Sequence, residues 1–205
     1  MLENIEINCH SSIKISKGKT IYIDPFKIEK EIHDADIILI THDHYDHYSP
    51  EDIEKIEKQE TIIVAPKTVK ALSKMMNVVL VEPNNTYEVK NIKIETIASY
   101  NINKQFHPKQ NEWVGYIIEI NETRYYIAGD TDITPENKQV KCDTALIPVG
   151  GTYTMTAQEG AELANIIKPK ISIPTHYGSV VGNREDGKIF EKLLNQDIEC
   201  EILIK

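Results

Sequence analysis

The chain reads as an α/β protein, an αββα sandwich in which two mixed β-sheets pack face to face with helices on their outer faces. Three observations predict it. Short alternating apolar stretches near the N-terminus make an antiparallel meander, and continuous apolar runs followed by helical periodicity make strand–helix units. That order, strands and then strand–helix units, occurs twice along the 205 residues. No linker or low-complexity tract interrupts it, so residues 1–205 are expected to form one domain.

Taken in order, Ile5-Glu6-Ile7, Ile13-Lys14-Ile15 and Ile21-Tyr22-Ile23 alternate as half-buried strands, with Lys17-Gly18-Lys19 as a turn. Ile37-Ile38-Leu39-Ile40 is a buried strand. Ser49 is an N-cap and Pro50 the first helical position, with Glu51 and Asp52 in the first turn and Ile53 and Ile56 on the apolar side. Thr61 to Ala65 is the next strand, and Pro66-Lys67 opens a helix through Met76. Tyr87–Val89 and Ile92–Ile97 form a hairpin about Lys90-Asn91, and Trp113–Ile120 with Thr123–Ala128 a second about Asn121-Glu122. Ala145–Pro148, Ile171–Pro174 and Glu199–Ile204 supply three more strands, separated by helices near Ala157–Ile167 and Glu185–Leu194. Thr156, with Glu159 three residues on, is a capping box.

A net charge of −9 argues against a nucleic-acid backbone as the main partner, because phosphate contacts need clustered Lys and Arg. No apolar stretch approaches bilayer length and the N-terminus lacks a charged-then-apolar signal pattern, so a cytoplasmic protein without membrane contact is expected. Cys9, Cys142 and Cys200 form no CxxC pair and read as reduced, mostly buried thiols.

The densest chemistry lies in His42-Asp43-His44-Tyr45-Asp46-His47, the loop between the Ile37–Ile40 strand and the Pro50 helix. Three imidazoles and two carboxylates at a strand-to-helix turn point to a metal site rather than a solvated polar turn. In an extended loop His42, His44 and Asp46 share a side, and a turn near Asp46 brings His47 round to a second centre. That suggests two adjacent metals, one held by His42 and His44, the other by Asp46 and His47. Imidazole and carboxylate suit zinc, with manganese or iron as alternatives, and the lack of thiolate argues against a closed structural site.

His42-x-His44-x-Asp46-His47 resembles the signature of the metallo-β-lactamase-fold hydrolases, and the likeness runs along nearly the whole chain. It is similar to the small L-ascorbate-6-phosphate lactonase-like members. The resemblance implies a third histidine for the first metal. Many members place it directly after a strand where this chain has Ser99-Tyr100-Asn101, so either His107 takes the role or that ligand is missing. It also implies that Asp130, rather than Asp132, bridges the two metals, and that His176 in Pro174-Thr175-His176-Tyr177-Gly178 completes the second. His10 is then a residue beside the site or facing substrate, against an ordinary structural histidine. Asp24 either orients a ligating histidine or is a turn residue. Tyr153, after Gly150-Gly151, is expected at the rim, touching substrate or donating a proton. Lys104 and Lys109, flanking His107, either attract an anionic group or are solvated loop charges.

With His42, His44 and His107 on one ion, Asp46, His47 and His176 on the other and Asp130 between, the expected activity is hydrolysis of a small ester, lactone or phosphodiester by a metal-bridging hydroxide, Asp46 orienting the nucleophile. A phosphodiesterase or small nuclease, and a non-catalytic metal-dependent ligand-binding protein, are the alternatives.

Overall fold

In the computed structural model, residues 4–73 and 76–204 are described. The first sheet contains β1 (Ile5–Cys9), β2 (Ser12–Ser16), β3 (Thr20–Ile23), β4 (Ile37–Leu39), β5 (Ile62–Pro66) and β6 (Val78–Val81), in spatial order equal to chain order. β1 to β3 are antiparallel and β3 to β6 parallel. The second sheet repeats the plan. β7 (Thr86–Val89), β8 (Ile92–Ala98), β9 (Val114–Ile120) and β10 (Thr123–Ile127) are antiparallel, and β11 (Thr144–Pro148), β12 (Ile171–Thr175) and β13 (Glu199–Cys200) follow β10 in parallel. Both sheets are therefore mixed.

Alternation along the strands divides their side chains between layers. Ile21, Ile23, Ile37 and Leu39 of the first sheet meet Ile94, Tyr116, Ile118 and Ile127 of the second in the inter-sheet core. Tyr22 and Ile38 point the other way, onto Ile53 and Ile56 of helix α1 (Pro50–Ile56). Ile117 and Tyr126 point outward onto α2 (Ala157–Ile167), which packs with Phe190 of α3 (Asp186–Leu193). The layers run helix, sheet, sheet, helix, as the sequence predicts.

Both hairpins carry positive φ at their two turn residues, Lys90 and Asn91, and Asn121 and Glu122. Three sequence expectations fail locally. Pro66 ends β5, paired with Val81, instead of opening a helix. Among the described residues a 3-10 turn, Lys70–Leu72, follows it, and Lys74 and Met75 lie outside them. The sequence reading has no strand at β6, the partner of β5, although Val78-Val79-Leu80-Val81 is a plain apolar run. The last strand stops at Cys200. Glu201 still donates to the Ser172 carbonyl at 3.1 Å, but the next rung needs an N–H from Pro174, which has none.

Three bonds pin the sheets together at one end. The Tyr116 hydroxyl donates to the Ile40 carbonyl at 2.7 Å, Val114 N–H to the Thr41 carbonyl at 3.2 Å, and His176 N–H to the His10 carbonyl at 3.0 Å. At this end the parallel strands β4, β10 and β12 finish, and the loops carrying the histidines begin.

Candidate metal centre

The loop after β4 folds as its caps dictate. The Ser49 hydroxyl accepts Asp52 N–H at 3.3 Å, starting α1, and the His44 carbonyl accepts the N–H groups of His47 and Tyr48 at 3.0 and 2.8 Å. This turn brings the His47 ring back beside His42, with centroids 4.0 Å apart, and sets Asp46 against His10. After β10, Gly129 takes φ +64, a left-handed conformation that favours glycine, and the Ser99 hydroxyl holds the bend by donating to the Ala128 and Asp130 carbonyls. Gly150 permits a close approach: a Cβ there would sit 2.2 Å from the His176 carbonyl oxygen. His10, in the β1–β2 turn, and His176, after β12, both adopt φ 58.

All seven sequence-predicted ligands meet in one cluster. His42, His44 and His107 form one group of converging donor atoms, and His10, Asp46, His47 and His176 another, with His42, His47 and Asp130 between them. Asp130 Oδ2 lies 2.9 Å from His176 Nε2, 3.3 Å from His107 Nε2 and 4.0 Å from His42 Nε2, while its Oδ1 lies 3.4 Å from His47 Nε2. His10 enters more deeply than a rim residue would. It is fully buried, and its Nε2 is 3.1 Å from Asp46 Oδ2.

Residues behind the cluster fix its rings. Asp24 Oδ2 is 2.7 Å from His47 Nδ1. Asn101 Oδ1 accepts both the N–H and Nδ1–H of His107, while its amide donates to Asp132 Oδ1 and the Tyr153 carbonyl, which settles the amide's orientation. Asp132 is an anchor for this loop, accepting from Ile102 N–H and Lys104. The loop lysines are neither free nor merely solvated, since Lys109 pairs with Glu136 at 2.7 Å and lies over the Tyr100 ring. Tyr153 is part-exposed and packs edge-on against Phe106, beside His107. Sequence reasoning missed two residues. Thr41 stands between Asp24 and the histidines, and Trp113, the chain's one tryptophan, packs against His42, His44 and His107. Only their positions next to His42 and at the start of β9 hinted at either. The cysteines are all part-exposed rather than mostly buried.

Burial, reinforced by neighbouring imidazoles, holds His42 well below its ordinary pKa and also depresses His44. Burial likewise takes His10 down to about 4, outweighing its bond to Asp46. Burial alone would raise Asp46, yet the His10 hydrogen bond and His47 bring it to about 2. Asp130 is held well below the carboxylate range against its burial by His176 and His47. Neutral imidazoles and ionised carboxylates are the forms that bind cations. His47 is the exception. Burial opposes its charge, but Asp130 and Asp24 raise it well above the ordinary value, so a cation at its Nε2 would displace a proton.

The cluster fits a metal on its own terms. Among the described residues, the buried atoms His47 Nε2, His107 Nε2, His176 Nε2 and Asp130 Oδ1 have no hydrogen-bond partner, though they face one another. Buried polar atoms left unpaired are costly, and imidazole nitrogens that converge on a carboxylate are groups a shared cation would satisfy.

The family comparisons agree. A model of the beta-lactamase superfamily domain matches residues 4–176. A UPF0173 metal-dependent hydrolase of Thermoplasma volcanium is 31% identical over 90% of this chain and 87% of its own length. A UPF0173 protein of Pyrococcus abyssi is 31% identical over 84% and 81%. Among solved structures, a protein classed as a metal-dependent hydrolase from Parabacteroides distasonis is 32% identical, covers 98% of this chain and 93% of its own, and superposes with a TM-score of 0.83. None of these three carries a lactonase name. The chain belongs to the UPF0173 metal-dependent hydrolase family of the metallo-β-lactamase superfamily.

Proposed function

We propose that the protein is a hydrolase whose centre holds two divalent ions, zinc first with manganese or iron as alternatives, and that it opens a small ester, lactone or phosphodiester. The observation that carries this reading is Asp130. Its Oδ2 lies between an imidazole of each proposed set, 3.3 Å from His107 and 2.9 Å from His176, while Oδ1 faces His47, a placement that suits a carboxylate shared by two cations. His42, His44 and His107 would hold one ion, and Asp46, His47 and His176 the other. Bound there, the ions would supply Lewis acidity and lower the pKa of coordinated water.

The chain's own groups do the rest. Asp46 is ionised and accepts from His10 Nε2, which leaves its other oxygen to orient the attacking water and take up its proton. Because Asp46 accepts that hydrogen bond, we read His10 as a partner of Asp46 rather than a ligand. Only half-buried His44 and the side chain of Asp46, 11% exposed, bring the cluster toward solvent, which suits a small reacting group. Tyr153, packed on Phe106, is our candidate for contact with substrate. Free cysteines suit a reducing compartment, in keeping with a cytoplasmic enzyme, and among the described residues no helix is long and apolar enough to cross a membrane.

The test is a panel of simple lactones, aryl esters and bis(p-nitrophenyl) phosphate, offered to the fully metallated chain. The reading expects turnover of at least one class and its loss in Asp130→Ala. Cleavage of the phosphodiester alone would narrow the activity to a phosphodiesterase. Ligand binding without turnover over days would contradict a hydrolase and favour a binding protein.

A further inference from the structure

We infer that Asp24, acting directly on His47 and through Thr41 on His42, sets which ring nitrogen each of these histidines offers to the metals, one residue positioning ligands in both sets. The inference rests on the metal-centre reading above.

Donors and acceptors around Asp24 fix the arrangement. Asp24 is 1% exposed, and its Oδ1 accepts the backbone N–H of Thr41 at 2.8 Å. Its Oδ2 meets the Thr41 hydroxyl at 2.7 Å and His47 Nδ1 at 2.7 Å. A carboxylate only accepts, so both partners must give a proton to it. His47 therefore carries a hydrogen on Nδ1 and turns Nε2 to the cluster, 3.4 Å from Asp130 Oδ1, as the nitrogen a cation would take. The single proton of Thr41 is committed to Asp24. Toward His42 Nδ1, 2.9 Å away, the hydroxyl can then only accept, so His42 is also protonated on Nδ1 and offers Nε2. His107 reaches the same tautomer by a separate route, through Asn101.

Replacing Asp24 by Asn should invert this arrangement without disturbing its shape. Asp24 sits at φ 47, a left-handed conformation that Asn also tolerates. The fixed Thr41 N–H requires the amide oxygen at the Oδ1 position, which places the NH2 group where Oδ2 stood. That group donates to His47 Nδ1 and to the Thr41 oxygen, and the freed Thr41 proton turns to His42 Nδ1. Both rings would then present N–H, not a lone pair, to the cluster. An Asp24 that merely caps Thr41 N–H would lose nothing by the change.

The experiment uses the full chain, with zinc as the probe. Affinity is read by dialysis against graded chelator, and imidazole tautomers by 15N NMR. Wild-type protein should show His42 and His47 protonated on Nδ1. Asp24→Asn should move both protons to Nε2 and weaken zinc retention by about 10–100-fold. Thr41→Val, which cuts only the relay to His42, should weaken one of the two ions, and Thr41→Ser should restore it. If Asp24→Asn fails to fold, the Thr41 pair decides. Wild-type affinity in Asp24→Asn, or equal retention in Thr41→Val and Thr41→Ser, overturns the inference alone. A wild-type chain that binds no zinc overturns the metal-centre reading, and this inference with it.

Discussion

The two proposed ligand sets are built from different material. His42, His44 and His107 are all imidazoles, walled by Trp113 and backed at His107 by the neutral amide of Asn101. Asp46, His47 and His176 include a carboxylate, have His10 bonded to that carboxylate, and are backed at His47 by the Asp24 carboxylate. Apart from Asp130, which both share, the first set offers a dication no negative charge and the second offers one in contact and one behind. Their scaffolding differs as well. The first set depends on a loop, Ser99 to Glu112, held by side-chain bonds to Asn101 and Asp132. The second gathers the end of β12 and the turn after β4, with the β1–β2 turn tied to β12 by the His176–His10 backbone bond. The sets should therefore differ in how tightly they hold metal, the first releasing its ion before the second.

Asp130→Ala removes the carboxylate common to both sets and should have the largest effect. Elemental analysis should find bound metal and turnover lost together, and an active, metallated variant would remove Asp130 from the centre. His176→Ala and His107→Ala come next and separate the sets. Each should leave one ion per chain by native mass spectrometry, with the His176 variant retaining its remaining ion less tightly. Equal retention in the two would break the contrast. Asn101→Ala should be milder, loosening only the first set by about tenfold in chelator competition, because it removes a partner of His107 rather than a ligand.

The smallest effect lies away from both sets. Glu95 is paired with Arg124 through two bonds, at 2.8 and 3.1 Å, and this pairing, against some burial, brings its pKa to about 2 from 4.5. A carboxyl lowered on folding stabilises the fold above its unfolded value, and that contribution is lost as pH falls through the folded one. Between these values the wild type should lose stability more steeply than Glu95→Gln, as read from thermal melting. At neutral pH the variant should be the less stable of the two, with metal content unchanged.

Much of this was legible in the chain because local pattern and tertiary role coincide. Alternation in Ile92–Ala98 places residues on opposite faces whatever the partner, so sheets and layers could be read directly. The proposed ligands in His42–His47 share one short loop, and Asp130 and His176 follow strands, so each had a local context. His10 had none. Its place beside Asp46 comes from a backbone bond between two turns 166 residues apart in sequence, His10 and His176, which no spacing reveals. Thr41 and Trp113 were similarly silent, since one is an ordinary strand-end residue and the other an ordinary strand-start aromatic until the sheets close. At Pro66 the sequence misled, because a proline can open a helix or close a strand, and the choice depended on β6 lying alongside.

The most direct measurement is the metal content of the full chain, purified without a metal-affinity tag and equilibrated with a slight excess of zinc, then freed of loose ions. The account predicts two ions per chain, departing in sequence under a chelator, with the ion bound by His42, His44 and His107 leaving first. A chain that retains no divalent ion under these conditions would contradict it.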